Sequence, residues 1–376
     1  MAQKQAERKP GDPKTRIVVV GAGMAGLLVA QRLTKRPDCS VTLVSDKDYF
    51  LFLPRLTEYF AKTIPTEHLL LHLNDVWRGP LLRGRVGIVN PDERTIVLDS
   101  GMRVEYDLLV LAVGSQVNYF GTQGNEYSYA FYTKEDADKL REHVDRLLDA
   151  DEQPGTHTFA IVGGGPTGVE VAYVLNKLAK AKRPDAKVII LEGGPTVLKV
   201  LPEKLAAGAI EALRKQGIEI MANSKVKGIT PLGVTIEKAD GSKETVPCYT
   251  TVWAAGSKPN AISLTGVACT QRGEVPVDTR LCLPDNNTIF CVGDCAGSGS
   301  PKTAQAAVQE ALAAVTNITA VLDGNEPKPF ALSDRGTVIA LEGDTVGLFF
   351  GKLLKGFVAR QLRDKYYRYT LGMYKG

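Results

Sequence analysis

Twice in this chain a β-branched strand runs into a tight glycine turn and then an apolar helix, and this repeat limits the fold more than any other feature. The first copy reads RIVVV, then GAGMAG at Gly21–Gly26, then LLVAQRL. The second reads HTFAIV, then GGGPTG from Gly163 to Gly168, then VEVAYVL. Strand, glycine turn and helix in this order make a dinucleotide fingerprint. Its first glycine forms the turn, the second admits a pyrophosphate, and the third lets helix and strand pack closely. Gly21, Gly23 and Gly26 take these places in the first copy; Gly163, Gly165 and Gly168 take them in the second. Each copy also has a closing strand, LLVLAVGS through Gly114 and VWAAGS through Gly256, apolar on both faces as strands inside a parallel sheet are. The expected class is α/β with two Rossmann-like dinucleotide-binding domains, and 376 residues give room for both cores.

The strand after each fingerprint ends where an acid ordinarily holds a ribose diol. In the second copy that residue is Glu192, closing KVIILE, and Gly193 and Gly194 follow it. A carboxylate with no adjacent Arg or Lys favours NADH over NADPH. The first copy departs from the pattern: the position is Ser45, with Asp46 one residue later. Either Asp46 reaches the ribose or Ser45 does so more weakly.

A further stretch ties the two copies together. IFCVGDCA, Ile289–Ala296, reads as a buried strand ending in Gly-Asp, and PKTAQAAVQEA, Pro301–Ala311, reads as a helix opening after the proline. Asp294 is an acceptor-only side chain at the strand's end. The helix N-terminus, at Ala304, is a natural site for negative charge. Gln305 and Gln309 are spaced i, i+4 and share one helix face.

Charge and cysteine use exclude several classes. A net charge of +4 is too small for a nucleic-acid protein. Six cysteines show no CxxC and no metal spacing, and Cys291 and Cys295 read as small apolar residues of a buried strand. Residues 48–58, DYFLFLPRLTE, read as a core loop without the CxxxxC pair of a flavin disulfide reductase. Residues 1–15 are polar and charged and read as a disordered leader on a cytosolic protein. No run of eighteen apolar residues is present to span a bilayer.

With GAGMAG, LLVLAVGSQVN, VGGGPTGVE, VWAAGSKPN and IFCVGDCA in this order, the chain resembles the two-dinucleotide-domain flavoproteins, whose fold is that of glutathione reductase. With AQAAVQ and a basic, aromatic C-terminus it is similar to the type II NADH:quinone oxidoreductases. The resemblance implies FAD on residues 16–125 and 261–330 and NADH on an inserted domain at 126–260. Residues 331–376 would be a small membrane-binding segment. It implies that Gly21, Gly23 and Gly26 hold the FAD pyrophosphate, Asp294 the ribityl chain, and Gly163, Gly165 and Gly168 the NADH phosphates. Gly114, Gly256 and Ala304 would line the cofactor sites. Glu170 matches the acid such enzymes place near the nicotinamide amide, and Gln305 and Gln309 match their paired quinone glutamines. The implied reaction is a hydride from NADH to FAD, then two electrons to menaquinone or ubiquinone without proton pumping. The implied setting is a peripheral homodimer on the cytoplasmic side of the cell membrane. No metal or protein nucleophile is called for, and the four histidines read as structural or surface residues.

The tail reinforces the membrane expectation. Residues 345–376 carry seven basic groups and one acid, so that segment is +6 and the rest of the chain −2. Phe349, Phe350, Leu353, Leu354, Phe357 and Val358 read at helical spacing among them, the composition of a helix lying in a membrane surface. The rival for this segment is a helix docked on the enzyme or in a dimer. Two rival functions also fit the motifs: a soluble NADH-dependent reductase serving a small iron-sulfur protein, and a NADH-sensing flavoprotein.

Overall fold

A computed structural model describes residues 14–149 and 157–375. The leader read at 1–15 lies outside the described residues up to residue 13, and so does the linker DEQPGTH, read at 151–157, up to residue 156. The first fingerprint forms β1 (Thr15–Val20) and α1 (Gly26–Leu33), followed by β2 (Cys39–Ser45), the short α2 (Leu56–Phe60) and β3 (Leu108–Leu111). The second forms β4 (Thr158–Val162), α3 (Pro166–Lys182), β5 (Lys187–Leu191) and β6 (Thr250–Trp253). The chain then gives β7 (Asn286–Cys291) and α4 (Ala304–Leu322). It ends in β8 (Thr337–Ile339), β9 (Val346–Phe349), β10 (Lys352–Lys355) and α5 (Gly356–Gly372).

The two fingerprints build two parallel sheets of one design. In the first the order is β7-β3-β1-β2, with Leu81–Arg83 beyond β2 and an antiparallel edge strand at Cys282–Leu283. In the second it is β6-β4-β5, flanked by Tyr129–Ala130 and Glu219–Met221. In both, the fingerprint strand runs between its closing strand and the strand bearing the acid. Ligands bind at such switch points, beyond the carboxyl ends of the strands. Ser115–Val117 pairs antiparallel with Ser257–Pro259, so the segments leaving the two closing strands are joined across the domains.

The tail differs from the sequence expectation. Residues 346–355 form a hairpin, β9 against β10, because Phe350 and Gly351 both take positive φ, 49° and 75°, as a two-residue turn requires. Phe349, Phe350, Leu353 and Leu354 are therefore strand and turn residues, and the helix starts only at Gly356. The hairpin packs on the helix Glu203–Lys215.

α5 is docked. Ala359, Arg363, Thr370 and Leu371 are buried on its inner face, while Phe357, Val358, Leu362 and Tyr369 are exposed on the other. Tyr374 just beyond it is fully buried, stacks on Phe50 at 4.3 Å and donates to the carbonyl of Met24 at 2.6 Å. Of the tail's basic groups, Arg363 pairs with Glu58 and Lys355 with Glu211. Part of the +6 is thus neutralised by the body of the enzyme.

Candidate functional site

Beyond β1, β3 and β7 lies a cavity of about 680 Å³. Its phosphate end is set by steric limits. Gly21 has φ +104°, and a Cβ on Gly26 would stand 1.9 Å from the Gly21 carbonyl oxygen. A Cβ on Gly23 would meet nothing within 4 Å, so that edge is open to a ligand. The second fingerprint repeats the geometry. Gly163 has φ +103°, Gly168 would clash with the Gly163 carbonyl at 2.0 Å, and Gly165 is open. This repetition is the physical test for two dinucleotide phosphates, and the residues fit.

At the other end of the cavity, Asp294 accepts a 2.6 Å hydrogen bond from Ser115, whose hydroxyl also meets Tyr132 at 2.6 Å. One carboxylate oxygen of Asp294 is thus oriented by the fold. The other is uncommitted among the described residues and fits a ribityl hydroxyl. The Gly293 N–H donates to the buried carboxylate of Glu310 at 2.6 Å, fixing the loop. Gly114 and Ala304 line the cavity, and Thr303 caps α4 by accepting from the Ala306 N–H. Ser45 and Asp46 both line the cavity but have different partners. The Ser45 hydroxyl is used within its own turn, donating to the Lys47 carbonyl and accepting from the Lys47 N–H. Asp46 stands at the cavity with Arg85 at 2.9 Å, the better placed acid for a ribose.

The second cleft, about 410 Å³, is lined by the Gly163–Pro166 turn, Glu192 and Gly256. Glu192 accepts from the Gly164 N–H at 2.7 Å and the Gly194 N–H at 2.6 Å, so its carboxylate is held in place. Lys225 and Phe120 are among the lining residues that escaped the sequence reading. Both come from segments distant from the fingerprint, and no local motif marks them.

The two clefts meet at the first turn of α3: Thr167 lines both, and Glu170, one turn on, lines the first. Glu170 accepts a 2.7 Å hydrogen bond from the Ala340 N–H. Burial pushes its carboxyl up to about 7, against the opposing pull of the Ala340 N–H and the Arg363 guanidinium. Arg363, Glu58 and Tyr367 stand around it from α5 and α2.

Gln305 and Gln309 depart from the expectation of a shared ligand. Neither lines the cavity. Gln309 donates to the Ser333 carbonyl at 2.9 Å and accepts from the Ser333 N–H at 3.0 Å; Gln305 donates to the Gly336 carbonyl at 3.2 Å. The shared helix face is real, but a returning backbone segment occupies it. Cys291 and Cys295, with sulfurs 3.5 Å apart, pack in the core with Leu109 and Leu111 and do not line the cavity either.

Comparison with known proteins agrees with this architecture. The family model described as pyridine nucleotide-disulphide oxidoreductase matches residues 15–311. The Mycobacterium tuberculosis type II NADH:quinone oxidoreductase NdhA is 31% identical over 375 residues, covering 90% of this chain and 79% of that protein. The Staphylococcus aureus type II NADH:quinone oxidoreductase is 27% identical, covering 91% and 92%. A Plasmodium falciparum NDH2 structure in complex with NADH superposes with a TM-score of 0.86 at 19% identity, covering 96% of each chain, a likeness of fold. The chain therefore belongs to the pyridine nucleotide-disulphide oxidoreductases and, within them, to the type II NADH:quinone oxidoreductases.

Proposed function

We propose that the protein oxidises NADH in the second cleft and delivers two electrons, by way of FAD in the first cavity, to a membrane quinone. The observation that carries this reading is the shared wall at Thr167, which lines both clefts. Bound FAD supplies the two-electron relay between the substrates. The protein's part is to bind and orient. The Gly163–Gly168 turn and Glu192 hold NADH, while Gly21–Gly26, Asp46 and Asp294 hold the cofactor. The N-terminus of α4 offers partial positive charge to the cavity. Leu53, Pro54 and Leu56 form an apolar wall of the cavity that also holds Glu170, which suits a quinone ring. Glu170, poised near neutral pH, is the group fitted to hold and give a proton there.

A steady-state assay tests the reading: NADH and NADPH against menaquinone and ubiquinone analogues. NADH should be preferred roughly 10- to 100-fold in kcat/KM, the scale of lost hydrogen bonds to a fixed carboxylate. Glu192→Ala should narrow the gap through KM for NADH. Equal use of both nucleotides would remove Glu192 from the ribose site.

Peripheral attachment to a membrane, read here as its cytoplasmic face, draws its support for the contact itself from the outer side of the tail. Phe350 is 93% exposed and Phe357 73%, and Lys352, Lys365 and Arg368 of the same tail are exposed too. Among the described residues no helix is long and apolar enough to cross a membrane. Full-length protein should float with anionic liposomes, more weakly as salt rises but not to zero, since apolar insertion is insensitive to salt. Phe350→Asp with Phe357→Asp should abolish flotation and leave NADH oxidation by ferricyanide intact. Undiminished flotation of that variant would refute the proposed contact. The homodimer implied by the resemblance is read from sedimentation of the same samples.

A further inference from the structure

Residues 333–336 lie along α4 as a strap fastened by two side chains. Gln309, 8% exposed, presents its amide to Ser333 at both ends, bonding as a neighbouring strand would. One helical turn earlier, Gln305 donates to the Gly336 carbonyl and accepts from the Arg335 N–H at 3.4 Å. Asp334 then accepts from the Gly336 N–H at 2.8 Å and turns the chain into β8. Gly336 has φ +95°, and a Cβ there would stand 2.6 Å from the Leu348 carbonyl oxygen, so the strap seats closely.

β8 leads directly to Ala340, whose N–H is the hydrogen-bond donor to Glu170. Ala340 is four positions beyond Gly336, roughly 13 Å of extended chain. The strap therefore links the helix at the flavin cavity to the acid on α3. The other groups around Glu170 do not replace that donor. The Arg363 guanidinium is engaged by Glu58 at 2.7 Å and Asp364 at 2.8 Å, and Tyr367 and Arg55 flank the same cluster. β9 holds β8 in its sheet, but the hairpin rests on the helix Glu203–Lys215 and on α5. The two glutamines bind this sheet's leading end to α4.

We propose that Gln305 and Gln309 are positioning residues, clipping 333–336 to α4 so that the Ala340 N–H meets the Glu170 carboxylate. The inference rests on Glu170 as the proton-holding group of the quinone reaction.

The test is the oxidative half-reaction by stopped flow with a short-chain menaquinone analogue, from about pH 5.5 to 8.5. The proteins are wild type, Gln309→Ala, Gln305→Ala, Gln309→Met (which keeps the packing and loses both bonds) and Glu170→Gln. Hydrogen exchange over residues 333–340 is followed in parallel. A loosened Ala340 bond favours the protonated carboxyl. The midpoint near 7 should therefore rise by about 1 unit in Gln309→Ala and Gln309→Met, the scale of one hydrogen bond to a carboxylate. KM for the quinone should stay within about twofold, and exchange at Ala340 should accelerate. A raised KM with an unmoved midpoint would make the glutamines direct quinone ligands and overturn the proposal. Equal slowing of both half-reactions with an unmoved midpoint would overturn it in favour of a merely structural role. If wild type lacks a midpoint that Glu170→Gln abolishes, the acid assignment itself fails. The clip is then judged by exchange alone, and unchanged exchange at Ala340 overturns it.

Discussion

Deleting residues 356–376 is expected to yield a protein that loses FAD on gel filtration and unfolds well below the intact enzyme. α5 and the residues after it brace the first fingerprint from behind. Tyr374 stacks on Phe50 and holds the Met24 carbonyl, and Gln31 on α1 donates to the Tyr374 carbonyl at 2.9 Å. Tyr367 meets Phe52 edge-on at 5.5 Å. Without the helix, Phe50 and Phe52 face water, and among the described residues Glu58 keeps only Arg55 as an ion-pair partner. Removing one large buried aromatic costs about 3–5 kcal/mol, a large share of the roughly 5–15 kcal/mol that holds a domain folded. The single change Tyr374→Ala should reproduce much of the loss. Absorbance at 450 nm after desalting, with a thermal melt, measures both effects. A truncated protein that stayed yellow and equally stable would return the tail to a detachable membrane segment.

Glu170→Gln is the second large effect. General acid groups contribute about 10²–10⁴-fold, so at pH 6 the oxidative half-reaction should slow by at least roughly 100-fold, with NADH oxidation in the first half-reaction nearly unchanged. In wild type the carboxyl is protonated below about 7, so the rate should fall as pH rises through that value. The variant should show no such fall. Stability runs the same way. A carboxyl raised from 4.5 to about 7 by burial favours the folded state below its unfolded value, and that contribution is lost as pH rises through 7. Glu170→Gln should thus gain on wild type in stability between pH 5 and pH 8, by on the order of 3 kcal/mol at most. A pH-independent wild-type rate would remove Glu170 from the proton path.

The parts of the site legible in the sequence are those where local backbone dictates function. A Cβ on Gly26 or Gly168 would meet the carbonyl five residues back, and one on Gly21 or Gly163 would meet the closing strand's end, so these constraints repeat as a short motif. Glu192 and Asp294 were legible because strand ends fix where a side chain stands. The glutamines show where this stops. An i, i+4 pair fixes a shared face but not what covers it, and the strap comes from residues 24 to 31 positions further on. The hairpin was missed for a related reason. Phe350 adopts a left-handed turn conformation uncommon for a bulky residue, and FFGKLLK scans as well at helical as at alternating period. The pairing of Asp46 with Arg85 was not legible, because Arg85 comes from a loop some forty residues on.

The hydrogen bond from Tyr374 to Met24 spans 350 positions of the chain. At roughly 5–20 residues per second of synthesis, the first glycine turn exists for about 20–70 s before the residue that braces it has been made. The NADH-binding half, built from a contiguous run of chain, can assemble in that interval. The FAD-binding half cannot finish, because its sheet also waits for β7. Nascent chains halted near residue 260 should thus protect the second domain from protease while the first stays open, and cofactor capture becomes one of the last events after translation.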